Sequence, residues 1–173
     1  MIKHIKRRFS DKSRIHLVNR GLSAKPEKLP FYRRNAASAS GCIKDWDPNL
    51  ENITKVFAIE TTTLDLLIEK FGIPKYIKID VEGFEIEVLR GLSLLVPLIS
   101  FEFFNNQLDR TLECIELLSK FGEIQFNLTS ADESKFVLEE WLPRQKFKKF
   151  IAGWNRDKFE SRGDIYARFV NMP

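Results

Sequence analysis

The sequence predicts an α/β fold, built on a mainly parallel sheet with helices on both faces. Three observations predict it. Short apolar runs alternate with amphipathic stretches along the chain, the pattern left by strands and helices taken in turn. Two of those runs, at residues 76–81 and 97–104, the second with almost no polar interruption, flank a helical stretch, as parallel strands buried on both faces do. With 173 residues, 43% of them hydrophobic, the chain can bury one real core and is too short for two full-sized domains.

Each element follows from local chemistry. Residues 14–20 suit a first strand, 24–28 a turn, 29–34 an extended piece, 35–52 a polar loop and 56–59 another short extended piece. Thr63 can cap a helix whose Leu64, Leu67, Ile68 and Phe71 recur at helical spacing, with Gly72 and Pro74 as stop signals. Residues 76–81 form a strand, Gly83 and Phe84 open a helix through Leu89, and 97–104 form the next strand. Asn105 or Asn106 starts a helix carrying Leu108, Leu112, Ile115 and Leu118, which Gly122 stops; 123–128 and 164–169 are the last two strands. Ile77, Ile79, Val81, Leu98, Ile99, Phe101 and Phe103 should be core. Residues 129–163, with Trp141, Phe147, Phe150 and Trp154 among many charges, read as a partly helical variable insertion or flap.

The net charge of +4 is segregated. A basic segment, residues 1–13, opens the chain, residues 144–162 are also basic, and the part between them is acidic. Solvated margins explain this more simply than nucleic acid, which nothing else in the sequence suggests as a partner. No apolar run exceeds six residues, so no membrane span and no secretory signal is expected. Cys42 and Cys114 match neither a disulfide framework nor metal-ligand spacing and suit a reducing, cytoplasmic setting.

In open α/β sheets, ligands sit where strands run into loops at their carboxyl ends. Two places qualify. Asp80 and Glu82 punctuate the end of an apolar strand just before Gly83, and Glu102 stands inside an otherwise apolar strand. A carboxylate there without a partner would cost several kcal/mol, so Glu102 should meet a donor, a cation or a watery cleft. If the two strands are neighbours, Asp80 and Glu102 face one cleft. The plainer alternative has Asp80 and Glu82 capping the next helix and Glu102 paired with a lysine such as Lys78. His4 and His16, the two histidines, have no partners at metal or nucleophile spacing, no metal site is expected, and none of the eight glycines forms a phosphate-cradling motif.

The run TTTLDLLIEKFGIPKYIKIDVEGFEIEVLRGL over 61–92, followed by LISFEF over 98–103, resembles the FkbM family of S-adenosylmethionine-dependent methyltransferases. The TTLD helix, the KIDVEG turn and the ISFEF strand stand in that family's order and spacing. RIHLVNRGLS at 14–23 with LPFY at 29–32 resembles the family's third strand and its extension, and GDIYARF at 163–169 its closing strand. The resemblance implies a Rossmann-like methyltransferase fold and methylation of a hydroxyl on a small molecule or glycan: a sugar, a glycolipid or a secondary metabolite. Asp80 is then the first candidate for the base that takes the hydroxyl proton and Glu102 the second, with Glu82 orienting the turn.

The family's first two strands, with a glycine-rich loop and a ribose-binding acidic residue, have no counterpart ahead of Arg14. Residues 14–173 thus resemble the C-terminal portion of an FkbM domain, a partial Rossmann-like fold. The expectation is a truncated or misassigned product, or a chain that has lost its cofactor half and acts as a binding or interaction module. Asp80 and Gly83 remain as neighbours for S-adenosylmethionine, which this chain alone is expected to bind weakly or not at all. The open edge of the 76–81 strand is expected to invite self-association.

Overall fold

The computed structural model describes residues 15–36, 39–45, 52–130, 135–154 and 162–170. The basic segment 1–13 therefore lies outside the described residues, as do parts of the 35–52 loop and of the 129–163 region. The described residues form eight strands and four α-helices: β1 (Gly21–Leu22), β2 (Lys28–Arg34), β3 (Ile53–Thr62), α1 (Leu64–Phe71), β4 (Ile77–Ile79), α2 (Glu85–Arg90), β5 (Leu98–Phe104), α3 (Leu108–Leu118), β6 (Ile124–Ser130), β7 (Leu142–Pro143), α4 (Arg144–Ala152) and β8 (Arg162–Phe169).

They form two sheets, one of three strands in the order β1-β3-β2 and one of five in the order β4-β5-β8-β6-β7. In the larger sheet β4 and β5 are parallel, with Ile79 opposite Phe101. The other three pairings, β5 with β8, β8 with β6 and β6 with β7, are antiparallel. The fold is thus mixed α/β, and the expected mainly parallel sheet is corrected. Burial on both faces makes any inner strand read as a continuous apolar run, whichever way its neighbours point.

The residues 14–20 strand is also corrected: 15–20 belong to no regular element, and pairing starts only at Gly21, beside Thr61. The short piece at 56–59 is part of the ten-residue β3, which pairs along all of β2. Its side chains are mostly exposed, so hydrophobic alternation gave little sign of its length. The Thr63 helix forms over α1 as its capping signals require. The Thr63 hydroxyl accepts from the Leu66 amide at 3.1 Å, and Gly72, at φ +87°, closes the helix by donating to the Ile68 carbonyl at 2.8 Å.

One face of the larger sheet carries Ile79, Ile99, Phe101, Phe103, Ile165, Ala167, Phe126 and Leu128, all buried. Ile86 and Leu89 of α2, Ile115 and Leu118 of α3, and Phe147 and Ile151 of α4 complete this core. Of the expected core, Ile77, Val81 and Leu98 are half-buried, the first two packed against the cluster from its margin. Residues 144–152 of the 129–163 region form α4. Its Phe147 stacks on Phe126 with centroids 5.2 Å apart, and Trp154 just beyond it meets Phe103 edge-on at 5.5 Å.

Candidate active site

The turn from β4 into α2 builds the site. Ile79 is anchored in the core, so the chain leaves the sheet at Asp80 and must reverse within a few residues. It does so through two left-handed residues, Glu82 at φ +53° and Gly83 at φ +86°. Glycine adopts this conformation freely, whereas a glutamate there is uncommon and must be held by its surroundings. The holding contacts are visible. The Gly83 amide donates to Glu85 Oε1 at 3.2 Å, Arg110 of α3 donates to the Gly83 carbonyl, and Gly41 lies against the Glu82 carbonyl, where an added Cβ would stand 3.2 Å from the oxygen.

Because Ile79 pairs with Phe101, the next residues along the parallel strands, Asp80 and Glu102, stand side by side. One carboxylate oxygen each from Asp80, Glu82 and Glu102 lies within 4.8 Å of the others. The N-cap position of α2 is Phe84, which makes no side-chain hydrogen bond. Lys78 binds Asp164 at 2.7 Å and reaches Asp80 at 3.8 Å, not Glu102.

Three carboxylates this close repel one another, and partial burial adds to the cost of charge. Burial, with Asp80 and Glu85 nearby, raises Glu82 to about 7, against a smaller lowering by Arg162. Burial, with Glu82, Asp80 and Glu85, likewise raises Glu102 to about 7. Glu85 is also pushed up, chiefly by burial. At neutral pH the cluster therefore shares protons, which relieves the crowding without requiring a cation. The sequence offered too few convergent oxygen ligands for a metal; the turn gathers three, a donor set that a hard divalent ion could bridge.

Asp80 and Glu82 also line a cleft of about 460 Å³ between the two sheets, walled by Leu22, Phe31, Ile59, Val81 and Phe84, with Ser40, Gly41 and Cys42 alongside. Glu102 lies outside it, lining a void of about 10 Å³ with Glu85, Arg110 and Cys114. The three sequence-chosen carboxylates are thus together, two of them facing the cleft and the third behind. Leu22, Phe31 and Ile59 were missed, because they come from three separate elements and share no period; Gly41 was a local signal, a glycine in a polar loop.

A family model described as the methyltransferase FkbM domain matches residues 11–140. The chain belongs to the FkbM methyltransferase family. No curated protein and no solved structure matches it significantly. The FkbM match spans the three-stranded sheet, the acidic turn, β5, α3 and β6, so the cleft and all three carboxylates lie inside the family domain. It stops before α4 and β8.

S-adenosylmethionine is the methyl donor typical of the family. Its adenosine would call for a glycine-rich strand-to-helix turn, and the described strand-to-helix turns supply one such glycine, Gly83, at an acidic site. Among the described residues no such glycine-rich adenosine cradle is formed.

Proposed function

We propose that this FkbM domain serves O-methylation, with the cleft between its sheets receiving the acceptor and the acidic turn removing the hydroxyl proton. The observation that carries this reading is the convergence of Asp80, Glu82 and Glu102 on the end of β4, with the first two opening onto the cleft. The donor supplies an electrophilic methyl group when bound. What the chain's own residues contribute is alignment and proton transfer, the larger share being alignment.

A useful base at neutral pH has a pKa near 7 and reaches the substrate. Glu82 has both properties, so it takes the proton, while Asp80 holds the hydroxyl from the adjacent wall. Glu102, behind the turn, keeps the shared charge from collapsing onto Glu82. This reverses the order expected from position alone, in which Asp80 led and Glu82 only shaped the turn. The acceptor class on this reading is a small molecule or a glycan.

A second reading, a binding or interaction module without catalysis, is favoured by the lack of an adenosine cradle among the described residues and by the sheet edges at β1 and β4. Titration calorimetry with S-adenosylmethionine, followed by transfer of labelled methyl to a panel of alcohols, separates the two. Donor binding that persists in Glu82→Gln, with transfer retained at high pH in the parent and lost in the variant, supports the enzyme. No binding at millimolar donor and no transfer would leave only the module.

A further inference from the structure

We infer that the acceptor is an uncharged alcohol with an apolar body, and not a free sugar, a sugar phosphate or a nucleotide sugar. This rests on the reading of the cleft as the acceptor site and narrows it.

The walls carry the argument. Leu22, Phe31, Ile59, Val81 and Phe84 offer no hydrogen-bonding side-chain atoms. A sugar brings several hydroxyls, each of which must be paired once it leaves water. The cleft has little to pair them with. The Ser40 hydroxyl already accepts from the Arg34 amide at 3.0 Å and donates to the Ala36 carbonyl. The Gly41 amide and carbonyl are bonded to Tyr32. Cys42 is half-buried, and burial pushes its thiol up, so it stays a neutral, weakly polar group.

That leaves Asp80 and Glu82 at one end, enough to hold one hydroxyl. Their charge also decides against anions. The described residues lining the cleft include no lysine and no arginine, and Lys78, which reaches Asp80 at 3.8 Å, is already bound to Asp164, so a phosphate in the cleft would meet carboxylates first and be repelled. A volume of about 460 Å³ falls within the range of ordinary small-ligand sites. One hydroxyl at the acidic end donates to a carboxylate there while the apolar body covers the walls, with the apolar body supplying most of the affinity.

Direct binding tests this without relying on catalysis. Borneol, a neutral bicyclic alcohol, is compared with methyl glucoside and glucose phosphate by titration of carbon-proton correlation spectra. Borneol is expected to shift the Ile59 and Leu22 methyl signals, and Ile59→Asn to weaken it at least tenfold. The two sugars should leave those methyls unmoved. Tighter binding of either sugar in the cleft, or failure of borneol to bind there, overturns the inference. If Ile59→Asn does not fold, the shift map of the unaltered chain decides, shifts away from the cleft counting against it. Borneol binding in the cleft with no methyl transfer to any alcohol would sink the methyltransferase reading and leave the ligand class standing.

Discussion

Glu82 and Glu102 each hold a proton to about pH 7, above the ordinary carboxyl value of 4.5. In that window the folded chain binds protons that the unfolded chain has released, so the contribution of these two groups to folding stability is greatest below pH 4.5 and declines as the pH rises towards 7. Glu102→Gln removes one of the repelling charges. It should flatten the decline and stabilise the fold by about 1 kcal/mol at alkaline pH, a value discounted for the partial exposure of the site. Urea unfolding across the pH range reads this directly; a steeper decline in the variant would refute it. Gly163 makes a different demand. A Cβ there would lie 2.1 Å from the Thr129 carbonyl oxygen and 3.0 Å from the Phe103 ring, and backbone in the middle of a sheet cannot give way. Gly163→Ala should cost about 3 kcal/mol or more, seen as a large fall in the urea midpoint, while an unchanged midpoint would show that β6 and β8 can part.

At the scale of elements, α4 gives the sharpest expectation. Phe147 is fully buried against Phe126, and Arg144 and Lys148 reach Glu116 of α3 at 3.3 and 2.5 Å. The helix is docked by its aromatic face, so Phe147→Ala should cost about 3–5 kcal/mol, whereas Lys148→Ala, which removes a half-exposed ion pair, should cost under about 1 kcal/mol. Similar losses from both would mean that charge, not packing, holds the helix. How legible each element was follows the same physics. α1 was readable because its cap, its apolar spacing and its stop glycine are all local. β4 and β5 were readable as parallel neighbours because a helical stretch separates two apolar runs. The antiparallel return of β8 was not, since Ile165 and Ala167 look the same in either direction. Asp80 and Glu102 were found because carboxylates stand out against apolar strands. Leu22, Phe31 and Ile59 were not, since only the folded chain brings β1, β2 and β3 to the acidic turn.

At the scale of the whole molecule, the described residues end one sheet on β1 and β2 and the other on β4 and β7, and the apolar surface gathers at β1 and β4. Around them stand Ile15, Leu17, Val18, Phe71, Ile73 and Tyr76, each 37–60% exposed. An unpaired strand edge bordered by apolar side chains is a template for another strand, and exposed apolar clusters mark contact surfaces. Lys78, in the middle of β4, is bound to Asp164, so its charge is partly neutralised and guards the edge less than a free lysine would. The chain should therefore associate with itself, its sedimentation coefficient rising with concentration over about a hundredfold range, as mass action requires. Ile73→Lys combined with Leu17→Lys places like charges on the rim. The double variant should sediment as a monomer throughout and keep the circular dichroism of the parent, because neither residue contributes to the buried core. A parent chain that is monomeric at every concentration would show that these edges are closed in solution by something other than a second copy.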